Sequence, residues 1–217
     1  MKKLLLTLVL SAFYISSASA VSMSVGVSGQ AGIFAASAKE STGTKQKGSG
    51  SEHGSAGWGS IFLEGQFNKL IIGVDYVPGA LETDTTETAK SDKGVTAVTP
   101  TTVTNKIQVD FENLTTVYIG AMLNDNFYVK AGGVAVDVIT NESLGTGASY
   151  GNTDLSGTML GIGYHNSNDN GTFFRFEGNY MSFDGTSLKA TGTAADNTIE
   201  LKNLDGVSGK ISIGKTF

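Results

Sequence analysis

The chain has 217 residues, a formal net charge of −5, 29 glycines, 2 prolines and no cysteine. The lack of cysteine excludes a disulfide framework, a thiolate metal site and a thiol nucleophile. Arg175 is the single arginine of an acidic chain, so the basic surface that nucleic-acid binding requires is missing and no nucleic-acid partner is expected.

Residues 1–20 have the pattern of a secretory signal peptide. Lys2 and Lys3 form a charged start, an apolar run follows, and Ala18 and Ala20 provide a small-residue cleavage site. The apolar run is too short to span a bilayer as a helix. We therefore expect an exported protein that is cleaved near Ala20, with residues 21–217 forming one mature domain.

The mature chain alternates apolar and polar residues again and again, which is the period of a β-strand with one apolar face. In one segment Ile107, Val109 and Phe111 alternate strictly with charged and amide residues. A bulge is expected at Gly132–Gly133, where glycines interrupt the pattern. The alternation predicts an all-β chain with eight strands, near residues 21–38, 57–67, 70–78, 105–123, 126–140, 154–165, 172–183 and 198–217.

The predicted connections alternate between short and long. Short turns are expected at Asn68–Lys69, Asn124–Asp125 and Asn166–Gly171, and long polar loops near 39–56, 79–104, 141–153 and 184–197. This alternation is typical of an up-and-down antiparallel barrel that spans a membrane, with short turns on the periplasmic side and long loops outside. A soluble sandwich has no reason to sort its connections by length in this way.

Two further segments raise the alternative of ten strands. Ser187–Gly192 and Asn197–Asn203 both resemble short strands, beside the turn dipeptides Asp184–Gly185 and Asp205–Gly206. Each is too short to cross an apolar band of about 25 Å. We therefore favour eight strands, with these segments forming a hairpin that extends the last two strands above the membrane.

Eight charged side chains fall on the polar faces of the predicted strands. They are Glu64, Asp75, Lys106, Asp110, Glu112, Lys130, Arg175 and Glu177. An eight-stranded barrel is just wide enough for its own side chains to fill, and buried charges need partners. We expect a closed network of ion pairs centred on Arg175, with a narrow conducting path as the alternative.

Aromatic residues cluster near the predicted strand ends, where the two interfaces of a membrane attract them. The predicted girdle residues are Phe67, Phe127, Phe173 and Phe217 beside the short turns, and Trp58, Tyr76, Phe111 and Tyr180 toward the long loops. The alternative is that they form the core of a sandwich.

A single stretch offers a catalytic interpretation. His165, Ser167 and Asn168, with Glu177 downstream, resemble the His-x-Ser-Asn element of outer-membrane lipid A deacylases, which are eight-stranded barrels that use Ser, His and Glu. The segment also consists of ordinary turn residues. We favour the turn and predict no catalytic residue. No cofactor or metal motif occurs, and His53 in the first long loop has no second ligand cluster.

The last residues carry a resemblance to a known family. Val207, Ile211, Ile213 and Phe217 alternate with polar residues and resemble the C-terminal signature of bacterial outer-membrane barrels, whose terminal aromatic is recognised by the barrel-assembly machinery. Lys215 departs from it, because a hydrophobic or aromatic residue is usual there. Lys210 and Ser212, on the opposite face, are expected to tolerate polar substitution.

Over residues 21–217 the chain resembles the small OmpA/OmpX-type barrel family of Gram-negative bacteria. This resemblance implies a location in the outer membrane, among its lipid and lipopolysaccharide. We expect a non-enzymatic structural component whose long loops contact an extracellular ligand, unless they are merely solvated. The alternatives are a narrow channel for ions or small solutes and a lipid A-modifying enzyme.

Overall fold

The computed structural model describes residues 21–92, 94, 99–192 and 196–217. No helix among these residues is long and apolar enough to cross a membrane. The described residues form thirteen strands. The strands are β1 Ser22–Thr42, β2 Lys45–Phe67, β3 Leu70–Tyr76, β4 Leu81–Glu82, β5 Thr86–Asp92, β6 Thr101–Met122, β7 Phe127–Leu144, β8 Ala148–Ser149, β9 Thr153–Ser167, β10 Thr172–Phe183, β11 Thr186–Lys189, β12 Thr191–Gly192 and β13 Asn197–Thr216.

Eight of these strands close into a ring in the order β1, β2, β3, β6, β7, β9, β10 and β13, and β13 pairs back with β1. All neighbours in the ring are antiparallel. Paired residues traced around the ring from Ile33 lead back to Met23, ten residues along β1. Such a stagger arises because the strands of a closed sheet tilt against the barrel axis. The predicted eight-stranded up-and-down barrel is confirmed.

One end of the barrel, here called the short-turn end, contains the tight turns at residues 68–69, 123–126 and 168–171, where the sequence predicts them. Asn68 has a φ of 52°, a left-handed conformation that asparagine tolerates better than most residues. The Asn124 side chain accepts hydrogen bonds from the backbone N–H groups of Asn126 and Phe127, at 2.9 and 2.8 Å. Met23 and Phe217 exchange backbone hydrogen bonds of 3.1 and 2.8 Å at the same end.

The opposite end, here called the hairpin end, differs from the prediction. Residues 39–56 are not a loop, because β1 and β2 stay paired up to Thr42 and Lys45. Within 79–104, β4 and β5 pair with β6, and residues 93 and 95–98 lie outside the described part. Small glycine and serine side chains show no apolar alternation, so the sequence pattern did not predict a hairpin that backbone hydrogen bonds hold together.

The short segments after β10 do not enter the ring. β11 pairs with β13, and β12 pairs with β8, so both lie beyond the barrel wall at the hairpin end. This arrangement supports eight strands over ten. Asp205–Gly206 is not a turn, since β13 runs through it without interruption and Asp205 pairs with Ala35 and Ser182.

The predicted bulge is also in a different place. Gly132–Gly133 pairs regularly with β6, whereas the register shifts between Glu112 and Thr115 on β6. Within this bulge Asn113 has a φ of 54°, and its amide donates to Asp137 Oδ2 at 2.8 Å. An extra residue on one strand reverses which side chains face inward beyond it. The bulge therefore reverses the two faces of β6 halfway along its length.

Candidate functional site

The interior of the barrel changes from polar to apolar along its axis, as the inward residues of β10 show. In order from the short-turn end, these buried residues are Phe173, Arg175, Glu177, Asn179, Met181 and Phe183. The three polar side chains precede the last two apolar ones. The lumen therefore has a charged layer near the short-turn end and an apolar layer near the hairpin end.

Arg175 organises the first group of polar contacts. Its Nη1 lies 2.6 Å from Glu64 Oε2, and Tyr118 donates its hydroxyl to Glu64 Oε1 at 2.5 Å. The guanidinium also lies over the Phe173 ring, 4.5 Å from its centroid. Its Nε donates to His165 Nδ1 at 3.0 Å. Arg175 therefore has a carboxylate, an imidazole and an aromatic face as partners.

Glu177 organises the second group. Its Oε1 lies 2.6 Å from Lys130 Nζ and accepts the Tyr128 hydroxyl at 2.6 Å, while Oε2 lies 3.6 Å from Lys210 Nζ. Lys210 also pairs with Asp75. The chain of contacts from Asp75 to Lys130 crosses the barrel, so it links strands that are not neighbours in the wall.

We call Glu64, Asp75, Lys130, Arg175, Glu177 and Lys210 the lumen charge network. Its three carboxylates and three cations balance, and none of these residues is more than 8 % exposed. A buried ion pair gains little over an apolar pair, yet removal of one partner costs about 3–5 kcal/mol because a buried charge is left behind. Each member of the network is therefore stable in the lumen only while its partners are present.

Glycines in the wall make room for this network. A Cβ on Gly73 would lie 2.7 Å from the Tyr118 hydroxyl oxygen and 2.8 Å from Cγ of Glu64. A Cβ on Gly161 would lie 2.9 Å from Cε of Lys130. Each of these glycines faces the lumen and is paired directly with the residues whose side chains fill the space above it, Gly73 with Glu64 and Tyr118, and Gly161 with Lys130. Glycine at these luminal positions thus has a packing reason.

An apolar plug fills the lumen between the network and the hairpin end. The plug consists of Trp58, Val77, Leu114, Val134, Val136, Val138, Leu155, Met159, Met181 and Phe183. Between network and plug lies a cavity of about 20 Å³ that Asn179, Lys130 and Lys210 help to line. Asn179 Oδ1 has no hydrogen-bond partner there, and the cavity has room for about one water molecule. It is far too small for a conducting path.

The outer surface has the opposite polarity. Around the charged layer it presents a band of aliphatic and aromatic side chains that are 37 to 60 % exposed. The band consists of Val25, Val27, Ile33, Ile61, Leu63, Ile119, Val129, Leu160, Ile162, Phe174, Phe176, Val207, Ile211 and Ile213. Toward the hairpin end the outer surface becomes polar, as the partly exposed Lys39–Glu200 ion pair of 2.7 Å illustrates.

The prediction of a luminal position is wrong for Lys106, Asp110 and Glu112. Lys106 is exposed and pairs with Glu87 on β5 at 3.0 Å. Asp110 accepts from Asn141 at 2.6 Å outside the lumen. Glu112 does not reach Arg175, the centre of the predicted network. All three lie beyond the bulge of β6, where the faces are reversed. Glu64, Asp75, Lys130, Arg175 and Glu177 lie in the lumen.

The predicted aromatic girdles need a similar correction. Trp58 and Phe173 are buried in the lumen, and Phe111 packs against the apolar plug. Phe67, Phe127 and Tyr180 are exposed on the outer surface. Sequence alternation alone could not place the first three, because an aromatic ring suits an apolar lumen as well as a lipid interface. Tyr76 is half-buried and donates its hydroxyl to Asn113 Oδ1 at 3.0 Å.

Three members of the polar layer were not predicted. Lys210 belongs to the lumen charge network, which contradicts its expected tolerance of polar substitution, and Ser212 beside it is buried as well. Tyr118 and Tyr128 supply hydroxyl donors to the carboxylates. Lys210 pairs with Glu177 across β13 and β10. That register would have predicted the contact, but it cannot be obtained from the alternation of either strand alone.

The histidine of the deacylase-like element has the wrong partner for catalysis. A guanidinium nitrogen can only donate, so His165 Nδ1 must accept the hydrogen bond from Arg175 with its lone pair. The ring proton then lies on Nε2, which cannot accept a proton from Ser167. In a serine triad a carboxylate accepts from one ring nitrogen and leaves the other free as a base. Glu64 and Glu177 are instead held by cations.

Three residues of the predicted assembly signature share the outer face of β13, and the fourth, Phe217, directly follows the strand. Val207, Ile211 and Ile213 are more than half exposed, and Phe217 is 75 % exposed at the short-turn end. All four side chains are therefore available to another molecule or to lipid.

No protein-family model and no curated protein matches the chain. The solved structure of the outer membrane protein OprG from Pseudomonas aeruginosa matches it with a TM-score of 0.54 and 16% identity, over 92% of this chain and 97% of that chain. Neisserial surface protein A (NspA) matches with a TM-score of 0.37 and 11% identity, over 87% and 97%. Ail, the attachment invasion locus protein of Yersinia pestis, matches with a TM-score of 0.36 and 8% identity, over 88% and 99%. The likeness to OprG shows that this chain has the fold of a small, eight-stranded outer-membrane barrel.

Proposed function

We propose that the chain is an integral protein of a Gram-negative outer membrane, which acts as a structural component and through contacts at the cell surface. The observation that supports this proposal best is the inverted polarity of the barrel. The apolar outer band surrounds a lumen that is closed by a neutral charge network. A soluble protein would bury the apolar side chains and expose the charges.

The band is suited to hydrocarbon. A contiguous apolar belt of this extent is a liability in water, whereas a closed ring leaves no unpaired strand edge inside a bilayer. By the rule for such barrels, the short-turn end lies in the periplasm and the hairpin end outside the cell. The proposed surroundings are outer-membrane lipid and lipopolysaccharide.

The hairpin end supports a role in surface contacts. β1 and β2 continue as a paired hairpin beyond the apolar band, and β5 and β6 do the same on another side of the barrel. These extensions expose polar side chains and backbone on a rigid base. Recognition sites are commonly held in this way.

The two alternative functions have less support. A channel needs a continuous path, but the charge network and the apolar plug fill the lumen in succession. A lipid A deacylase needs a histidine base, but Arg175 fixes the His165 tautomer that cannot serve. Non-enzymatic action therefore fits the geometry better.

We also propose that the barrel-assembly machinery recognises the outward face of β13. Phe217 and Ile213 are exposed there, in keeping with the C-terminal signature of the outer-membrane barrels that the sequence resembles. Deletion of Phe217 should lower the amount of folded protein in the outer membrane, while Phe217→Tyr should preserve it. Equal amounts after deletion at native expression would refute this part of the proposal.

The experiment that tests the main proposal is membrane fractionation combined with a heat-modifiability gel. The protein should be found in the outer-membrane fraction and should migrate differently before and after boiling, because a folded barrel resists detergent. Protease added to intact cells should cut only at the hairpin end. Recovery in the soluble periplasm without a gel shift would overturn the proposal.

A further inference from the structure

One long strand edge at the hairpin end has no partner. β2 pairs with β3 only from Ile61 to Phe67. From Gly48 to Ser60 it pairs with β1 on one side, and none of the described strands pairs with its other side. The register with β1 is unbroken over these residues. Every second residue of this edge therefore directs its backbone N–H and C=O groups away from the sheet.

The sequence after β3 explains why the edge is bare. β3 ends at Tyr76, and Pro78 follows two residues later, where proline removes a donor and disfavours a continued ladder. The chain then resumes alongside β6 as β4 and β5. β4 and β5 therefore lie beside β6 at the hairpin end, in the position that β3 occupies nearer the short-turn end. We call the gap between β5 and the Gly48–Ser60 edge the notch; it narrows at its base, where β4 approaches β2 without pairing with it.

The usual protections of an exposed edge are missing here. Natural sheets block such edges with proline, lysine, bulges or very short strands. The segment Gly48–Ser60 contains no proline and no lysine, and the one shift in its ladder with β1 lies beyond Gly48. Most of its residues are glycine, serine or alanine, whose side chains are small. An incoming strand would meet little steric resistance.

Described side chains at the base of the notch are acidic. Glu52 on β2, Glu82 on β4 and Asp84 after it are exposed, and none forms an ion pair with another described residue. Lys106, a base on the neighbouring β6, is already paired with Glu87. Glu82 also lies directly opposite Asp110 across the β4–β6 ladder, a like-charge pair that is unfavourable by itself. The carboxylates here would gain from an external cation.

We propose that the bare edge of β2 binds an extended, positively charged segment of a partner polypeptide by strand addition. Backbone hydrogen bonds would supply the affinity, and the acidic side chains at the base of the notch would select basic sequences. This inference rests on the proposed function, because an external protein can reach the edge only if the hairpin end lies outside the cell. It adds the kind of partner and the site of contact.

A designed peptide tests the proposal on the purified, folded barrel in detergent micelles. The probe is a fluorescent twelve-residue repeat of Thr and Lys, which favours an extended strand and carries positive charge. A Lys–Pro repeat of the same length and charge is the control, since it lacks half of the donors and cannot form a ladder. Fluorescence anisotropy should show binding of the first at least tenfold tighter than that of the second.

Two sets of variants locate the binding. The double variant Glu82→Gln/Asp84→Asn should weaken binding of the Thr–Lys repeat by about three- to tenfold. The matched control is Asp125→Asn/Asp169→Asn, which removes two exposed carboxylates at the short-turn end and should change nothing. The backbone N–H groups of Ser51 and Glu52 point to opposite sides of β2, so only one of them faces the notch. Proline removes this N–H group, so one of the two variants, Ser51→Pro or Glu52→Pro, should abolish binding. The gel shift on boiling shows that each variant is folded.

Equal binding of both peptides, or no binding of either, would overturn the inference. Binding that neither proline variant weakens would overturn it as well. Dimers that form without peptide and dissolve in a proline variant would show that a second copy occupies the edge, which also contradicts the proposal. Correct fractionation to the outer membrane without peptide binding would refute this inference alone. Recovery in the periplasm would refute the proposed function instead.

Discussion

The two halves of the barrel bury opposite kinds of side chain. Near the short-turn end, β10 points Arg175 and Glu177 inward and Phe174 and Phe176 outward. Near the hairpin end the same strand points Phe183 inward and Ser182 away from the lumen. The proposed membrane location accounts for the reversal. Where lipid would surround the wall, charges could be satisfied only inside; where water would surround it, the interior forms an ordinary apolar core.

The difference teaches that two separate mechanisms close one lumen. The charge network depends on complete pairing, so the loss of one member leaves a buried ion. The apolar plug depends on packing, so the loss of one member leaves a cavity whose cost depends on relaxation. Substitutions in the two halves should therefore differ in size and in how they can be rescued.

The largest expected effect is that of Arg175→Ala. Glu64 would lose its cation, and the barrel should lose about 3–5 kcal/mol of folding free energy. Urea titration of the protein in lipid vesicles measures this loss. Arg175→Met/Glu64→Leu, which removes both charges, should recover much of it. Lys202→Ala, at an exposed residue of the hairpin end, should change stability by less than about 0.5 kcal/mol. An equally small effect at Arg175 would contradict the network.

The next effect tests the outer band. Ile213→Lys would place a cation on the lipid face at a cost of roughly 2–4 kcal/mol at mid-membrane and less near the rim. Ile107→Lys, on the inward face of β6 beyond the bulge, should cost far less, because this side chain is 40 % exposed at the hairpin end and a lysine there can reach water. The same titration in vesicles compares the two. Similar costs at both positions would mean that the band does not mark the membrane.

A third prediction concerns the space that glycine leaves for the network. Gly73→Ala should push against Tyr118 and Glu64 and cost about 1–3 kcal/mol. Gly178→Ala is the matched control, because a Cβ there meets nothing within 4 Å. Thermal unfolding followed by the gel shift should separate the two variants clearly. If Gly73→Ala unfolded at the temperature of Gly178→Ala, the packing account of these glycines would fail.

The smallest effect is expected beyond the bulge. Glu112 lies directly opposite Asp137 on the outer face, so Glu112→Gln should be neutral or stabilise the barrel by a few tenths of a kcal/mol. Glu64→Gln, in the lumen, should destabilise it strongly, since Arg175 would be left without its carboxylate. A large loss at Glu112 would restore the original interpretation of that residue as a network member.

Much of the half with the apolar outer band could be predicted from sequence, because period-two alternation there gives one apolar outer face and one luminal face. This pattern located the short turns and placed Glu64 and Arg175 in the lumen. The hairpin end could not be predicted in the same way. Its glycines and serines hide the alternation. The bulge at Asn113 reverses the two faces of β6, and nothing in the alternation of the sequence indicates this bulge.

The partners within the network were a separate problem. Lys210 meets Asp75 and Glu177 only because the ring closes with a stagger that sets the heights of the strands relative to one another. No single strand contains that information. Tyr118 and Tyr128 show the same limit, because the hydroxyl of each binds a carboxylate two strands away, over a glycine of the strand between them.

The most direct test of the closed lumen is the conductance of the purified wild-type protein in planar lipid bilayers. The charge network and the apolar plug together predict no steady conductance above that of the bare bilayer, with brief openings at most in Arg175→Ala. Steady, ion-selective conductance of the wild type, shifted toward cations by Arg175→Ala, would contradict the account and make Arg175 part of a channel constriction.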